Sequence, residues 1–242
     1  TIQLHQGKAI YGVGGGITWD STWESEYREV HQKAAVLYRK QARFQLITTG
    51  KISQKSLLFE NQHIERLIKA SRYFSYPFDA EYLKKKIEEE CRACDINQDY
   101  RLRISLSKSG KIELSRQILT PLTPTFCKAK ICLQEANLQQ AFTYFKTTHR
   151  PHLSLGEQEE IYHNTKGELL ETSIGNLVLK IAGKLYTPPI RLGILPGIYR
   201  QHLLETGQVE EKVLTLADLA QAEAIYGCNA VRGLYELSMK EN

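Results

Sequence analysis

Phe145-Lys146-Thr147-Thr148-His149-Arg150 is the stretch on which the reading of this chain turns. It is short of the long apolar side chains that would make it core. Two further signals follow it. Gly167-Glu168-Leu169-Leu170-Glu171-Thr172 offers a carboxylate just ahead of a small polar turn, Ser173-Ile174-Gly175, which leads into an apolar strand. Gly193-Ile194-Leu195-Pro196-Gly197-Ile198-Tyr199-Arg200 reads as a Gly/Pro-marked turn entering a helix. Gly197 permits close backbone approach there, and the first-turn N–H groups of Ile198 and Tyr199 point at open space with no intrahelical acceptor. An amine, an acid and an anion-holding helix start are the three parts needed to hold pyridoxal phosphate. The lysine forms the Schiff base, the carboxylate pairs with the pyridine nitrogen, and backbone N–H groups take the phosphate. Each signal alone has a plainer reading: a surface lysine, a surface acid at a hairpin, an ordinary proline-led helix.

The 242 residues suit one or two domains with a substantial core, and 42% hydrophobic with 24% charged residues describes a soluble globular chain. No stretch approaches the roughly 18 uninterrupted apolar residues of a membrane span. The opening Thr1-Ile2-Gln3-Leu4-His5-Gln6-Gly7-Lys8 lacks the apolar core of a secretory signal. Five cysteines, an odd count, argue against a disulfide framework and for a reducing cytoplasm. Cys91-Arg92-Ala93-Cys94 has CxxC spacing but no second pair, and reads as two structural cysteines. A formal charge of +5 is mild, and Lys84-Lys85-Lys86 followed by Glu88-Glu89-Glu90 is a solvated helix face, so nucleic-acid binding has little support. A small anionic ligand suits the balance better.

Along the chain, Ala9–Val13 reads as strand, Gly14-Gly15-Gly16 as a glycine turn, and Glu24–Lys40 as a helix with Asp20 or Ser21 near its N-cap. Phe44–Thr48 reads as strand, Gly50-Lys51 as a turn, and Asn61–Tyr73 and Glu81–Cys94 as helices. Arg101–Leu106 and Lys111–Leu114 form a hairpin around Ser109-Gly110. Pro121 and Pro124 mark a linker near residue 120. Beyond it, Lys130–Glu135, Glu159–His163, Leu177–Ile181 and Lys184–Tyr186 read as strands. Ile198–Thr206, Leu216–Ala222 and Val231–Met239 read as helices or helical turns. The fold class is α/β (α+β), with regions 1–40, 41–120 and 121–242.

In this order, Gln62-His63-Ile64-Glu65-Arg66-Leu67, Phe145-Lys146-Thr147-Thr148, Leu170-Glu171-Thr172 with Asn176-Leu177, Leu195–Arg200 and Cys228-Asn229-Ala230 resemble the fold-type IV pyridoxal phosphate enzymes. That family holds branched-chain and D-amino-acid aminotransferases and aminodeoxychorismate lyases, and the resemblance covers roughly residues 44 to 238. It implies a small α/β domain followed by a larger, β-rich, coenzyme-binding one. By position it implies Lys146 as the Schiff-base lysine, Glu171 as the pyridine partner and Arg66 at the phosphate. Ile198 and Tyr199 would supply N–H groups, Asn229 would be a further phosphate-side ligand, and Leu195 would pack on the ring. The family's F-E-T-x-R strand reads Phe44-Gln45-Leu46-Ile47-Thr48, without its acid, its hydroxyl and its arginine. A tyrosine often found after the lysine appears only as Leu153, and Glu171 follows Lys146 by 25 positions, which implies a trimmed helix between them.

Tyr11-Gly12-Val13-Gly14-Gly15-Gly16-Ile17-Thr18-Trp19-Asp20-Ser21, followed by Glu24, Glu26-Tyr27 and Glu29, resembles the C-terminal end of chorismate-using synthases. There the glycine turn holds a carboxylate of chorismate, and a glutamate of E-Y-x-E binds magnesium. The stretch alone cannot close a site, and no metal site is expected in this chain. The combination implies a bifunctional aminodeoxychorismate synthase/lyase whose C-terminal part makes 4-aminobenzoate and pyruvate for folate synthesis. Lys146 would be the general base, Thr148 a proton donor to departing pyruvate, and His149 and Arg150 attractors of substrate carboxylates. A class IV aminotransferase and a non-catalytic chorismate-binding module are the competing readings. The resemblance further implies a homodimer and, for a longer protein, a glutamine amidotransferase subunit as partner.

Overall fold

The computed structural model describes residues 2–38, 43–134, 141–154 and 156–239. The chain divides into two compact units, residues 1–43 and 44–242. In the first, strands β1 (Ile2–His5) and β2 (Lys8–Tyr11) pair antiparallel, and helix α1 spans Trp23–Tyr38. Among its described residues none is buried, and Leu4, Ile17, Trp19 and Trp23 are exposed. The expected helix end at Lys40 lies outside the described residues.

The second unit opens with a four-stranded antiparallel sheet. Strands β3 (Leu46–Ser53) and β4 (Ser56–Leu57) are followed by helices α2 (Glu60–Phe74) and α3 (Ala80–Arg92), then strands β5 (Tyr100–Leu106) and β6 (Ile112–Ile118). The sheet order is β4-β3-β5-β6. α2 buries Ile64, Leu67 and Ala70 at the three-residue spacing of one helix face, and α3 buries Leu83 and Ile87. Asp79 caps α3 by accepting the Tyr82 N–H at 2.9 Å. These faces close on Leu46, Ile52, Leu102, Ile104 and Leu106 of the sheet. Each fully buried Leu or Ile contributes about 1.5–3 kcal/mol.

Gly50 and Lys51, expected as a turn, lie inside β3. A Cβ on Gly50 would stand 2.6 Å from His63 Nε2 and 2.7 Å from Leu57 Cδ1, so the glycine is there for close packing. The turn falls instead at Gln54-Lys55, both at positive φ (49° and 61°). That is a two-residue hairpin turn made without the usual Asn-Gly.

The remaining elements are β7 (Lys128–Leu133), α4 (Ala141–Tyr144), β8 (Glu160–His163), β9 (Leu169–Thr172), β10 (Asn176–Ile181), β11 (Lys184–Thr187), α5 (Ile198–Glu205), β12 (Glu210–Glu211), α6 (Leu216–Gln221), β13 (Ala224–Asn229) and β14 (Gly233–Met239). The eight strands run β12-β11-β10-β13-β14-β7-β8-β9, and β9 also pairs with β10 through Glu171 and Asn176. That last contact joins β10, β13, β14, β7, β8 and β9 into a closed ring. Leu169, Leu177, Leu179, Leu214, Ile225 and Leu237 are buried together in this unit. Val231–Met239, expected as a helix or helical turn, is a reversal at Val231-Arg232 followed by a strand, with Gly233 at φ 68°. The close approach of the Tyr235 ring to Gly227, opposite it across the β13–β14 pair, fixes that pairing. The expected strand end at Glu135 lies outside the described residues. No described helix is long and apolar enough to cross a membrane.

Candidate active site

Lys146 stands where the two sheets of the second unit meet. Its flanking backbone extends the edge of β3: Ile47 N–H donates to Lys146 O and Thr148 N–H to Gln45 O, both at 2.9 Å. After it the chain turns sharply rather than forming a helix, with Thr147 Oγ donating to His149 O at 2.9 Å. The lysine is part-buried and lines the cavity. Burial, and then the Arg150 and Arg66 charges, hold it down at about 7 against the pull of Glu171. A large share of it is therefore neutral near pH 7, as a nucleophile or base must be.

Glu171 is not a surface acid. It sits on β9, 2% exposed, with Oε1 3.4 Å from Arg150 Nη2 and Oε2 3.4 Å from the Leu195 N–H. Burial pushes its carboxyl up, and Arg150 is the chief group opposing that. Its ladder partner Asn176 donates from Nδ2 to Leu195 O at 2.8 Å. The two residues that close the ring thus grip both sides of Leu195, the residue before Pro196-Gly197. A Cβ on Gly197 would fall 1.9 Å from Asn176 Oδ1, so only glycine fits at the start of α5. No side chain caps that helix. Its first-turn N–H groups are left for an anion. Arg66, from α2, donates from Nη2 to Pro196 O at 2.6 Å and brings its charge to the same end. Burial, and then Arg150, lower Arg66 to about 10, which leaves it a cation at neutral pH.

These groups line one cavity of about 630 Å³. Its basic side chains are Arg66, Arg101, Arg103, Lys146, Arg150 and Arg232, and its acidic one is Glu171. Leu195, Gly197, Ile198, Thr148 and Asn229 also face it. His149, expected at the site, is not among the lining residues. The His149 ring lies edge-on to Phe142 at 4.8 Å, because the turn after Lys146 carries it outward. The Tyr199 side chain packs against Phe59 and His202, and its backbone N–H, the group expected of it, lies in the uncapped first turn of α5. Asn229 lines the cavity, but its amide is committed to its own hairpin and to the turn before β10. Oδ1 accepts the Val231 and Arg232 N–H groups at 3.0 and 2.9 Å, and Nδ2 donates to Ile174 O. Thr148 Oγ accepts the Gln45 N–H at 2.9 Å and keeps its own proton to give.

The reading from sequence missed Arg101, Arg103, Arg232 and Thr49. Arg101 and Arg103 are two apart on β5, so a strand reading already puts them on one face. Thr49 supplies to the wall a hydroxyl from the altered Phe44 strand, while Thr48 turns the other way, 2.6 Å from His63 Nδ1. His63 is held down at about 3 by burial and then by Arg66, so it is neutral beneath the site. In the first unit, the glutamates that match the synthases' magnesium-binding stretch are paired within the chain. Glu26 accepts from Ser21 Oγ at 2.6 Å and Glu29 pairs with Lys33 at 2.5 Å. The glycine turn faces those carboxylates, with a Cβ on Gly15 falling 3.0 Å from Glu26 Oε2.

The profile of the class IV aminotransferases matches residues 45–238, four-fifths of the sequence. The chain belongs to that family. Residues 1–39 match the chorismate binding enzymes. A structure named "Putative amino-acid aminotransferase", from Mesorhizobium loti, superposes with a TM-score of 0.72 at 26% identity, covering 81% of this chain and 100% of that one. One named "Putative 4-amino-4-deoxychorismate lyase", from Legionella pneumophila, gives 0.65 at 21% identity, covering 82% and 83%. An uncharacterised Haemophilus influenzae protein is 34% identical over 79 residues, which is 33% of this chain and 41% of that protein. This chain thus matches under half of that relative's length. Class IV aminotransferases work with pyridoxal phosphate. The residues here fit that coenzyme: a part-neutral, part-buried amine, a buried acid, and an uncapped helix start beside Arg66.

Proposed function

We propose that this class IV enzyme is a 4-amino-4-deoxychorismate lyase, releasing pyruvate to leave 4-aminobenzoate. The observation that carries the reading is the surplus of cations in the Lys146 cavity. The coenzyme phosphate accounts for Arg66 and the start of α5. Arg101, Arg103 and Arg232 remain on the wall for a substrate that carries two carboxylates.

In this reading the coenzyme, when bound, provides an electron sink for the pair left at the amine-bearing carbon of the substrate. Lys146 Nζ, neutral in large part near pH 7, takes the proton from that carbon as general base. Glu171 pairs with the ring nitrogen. Thr148 Oγ stands on the cavity wall to protonate the leaving enolpyruvyl group, and loss of that group makes the ring aromatic. Leu153 puts an apolar side chain where the family often has a tyrosine, so no phenol takes part there. Residues 1–39 support placing this chain in a longer polypeptide that also makes aminodeoxychorismate, with a glutamine amidotransferase as nitrogen source. We further propose a homodimer in the cytoplasm.

The test is incubation with aminodeoxychorismate and no keto acid. Formation of 4-aminobenzoate and pyruvate in equal amounts is expected. The likeness to the Mesorhizobium loti protein favours one other reading, an aminotransferase on amino acids. Amino-group transfer that needs a keto-acid acceptor, with no pyruvate released from aminodeoxychorismate, would establish it instead. A colourless protein that fails to bind pyridoxal phosphate would leave only a chorismate-binding module.

A further inference from the structure

Arg150 follows Lys146 by four residues and reaches back to Glu171. Nη2 lies 3.4 Å from Glu171 Oε1, while the side chain is 16% exposed. Its Nε is buried and has no hydrogen-bond partner among the described residues. A guanidinium in this position has given up water without recovering a full set of acceptors. Such an arrangement persists only where the surrounding structure holds it, and here that structure is evident. Leu153 N–H donates to Arg150 O at 3.1 Å, and Ser154 N–H donates to Tyr162 Oη at 2.8 Å. Thr147 Oγ is bonded to both the N–H and the carbonyl of His149. The turn after the lysine is therefore pinned on both sides, and Arg150 is aimed inward.

The other partner of Glu171 is an uncharged peptide N–H, from Leu195. Arg150 is thus the cation in contact with this buried acid. The remaining nearby cation, Lys146, is the amine that condenses with the coenzyme and cannot serve as a fixed charge. We infer that Arg150 is a positioning residue for the coenzyme: its guanidinium holds Glu171 as the carboxylate that keeps the ring nitrogen protonated. This assigns Arg150 a role other than receiving a substrate carboxylate, and it rests on the coenzyme reading above. Arginine suits the task because its guanidinium is a cation whose planar fork matches a carboxylate. The same burial that pushes the Glu171 carboxyl up makes that fixed charge necessary. Arg66 and Arg101 face the same amine but bond elsewhere or lie further along the wall.

The experiment is ¹⁵N NMR of the enzyme loaded with coenzyme labelled at its ring nitrogen, recorded at about pH 8 for wild type, R150K, R150Q and R150M. Circular dichroism confirms that each variant is folded. Wild type and R150K are expected to give the protonated-nitrogen resonance, whereas R150Q and R150M lose it and show the unprotonated one. The neutral variants should also change the pH dependence of the coenzyme absorbance, with R150K restoring it. Retention of the protonated resonance in R150Q or R150M overturns the inference, as does loss in R150K equal to that in R150M. A rise in KM with no change at the nitrogen would return Arg150 to a substrate-binding role. If wild type takes up no coenzyme, or borohydride reduction leaves Lys146 unlabelled, the coenzyme reading itself fails and this inference goes with it.

Discussion

The two units of this chain differ in what they bury. Residues 2–38 form two short strands and a 16-residue helix, yet none of their described side chains is buried, and Trp19 is fully exposed. Among the described residues, every buried hydrophobic side chain falls within 44–239, including Leu46, Leu102, Leu169 and Leu177 at 0% exposure. A two-stranded hairpin of this length is marginal in water, and so is a chain of about 40 residues without a core. The lesson is that recognisable sequence and self-sufficient structure are separable. The first unit matches a family while burying none of its described side chains, whereas the second supplies its own core and brings an amine, an acid and an uncapped helix start to one cavity.

That contrast can be broken most severely at Lys146. Lys146→Ala is expected to abolish covalent coenzyme binding and to cut turnover by roughly 10⁴-fold or more. Removal of residues 1–43 should leave coenzyme uptake by the remainder intact, read from the visible absorbance of purified protein. If the truncation also goes colourless, the second unit is not self-sufficient. A smaller effect separates the two surfaces. Leu102→Ala should cost about 2–5 kcal/mol in denaturant unfolding, and Trp19→Ala less than about 0.5 kcal/mol. Gly197→Ala should cost about 1–3 kcal/mol, because its methyl collides with Asn176, and should weaken coenzyme binding in an equilibrium titration. A further test is a pH slope. His63 has its folded-state pKa lowered to about 3, so between about pH 3 and 6.5 the unfolded chain binds a proton that the folded one refuses. Its contribution is fully present above that window, and stability falls as pH drops through it, by at most about 1.4 kcal/mol per pH unit. His63→Gln should flatten that part of the stability curve.

Much of this was legible in residues close together in sequence. α2 and α3 follow from apolar spacing, and α3 also from Asp79, because a helix is decided by neighbours three and four apart. The amine, the acid and the helix start were legible because each is a local signal. What escaped depended on distant partners. Gly50 reads as a turn until His63 is placed against it, and Gly233-Leu234-Tyr235 reads as helix until β13 lies alongside. The burial of Glu171 comes from strands paired across the ring, and the outward course of His149 from a turn stitched to Gln45. Residue type alone carried neither. Arg101 and Arg103 are the instructive omission, since alternation on a strand already joined them, and only the cavity gave that face a purpose.

The contact between Glu171 and Asn176 has a consequence for motion. It is the final rung of the ring, and it also restrains the peptide that enters α5. Fraying at that rung would release Leu195 and the anion-holding end of the helix together. Amide hydrogen exchange at Leu195 should therefore rise and fall in step with exchange along β9, and a ligand that quiets one should quiet the other.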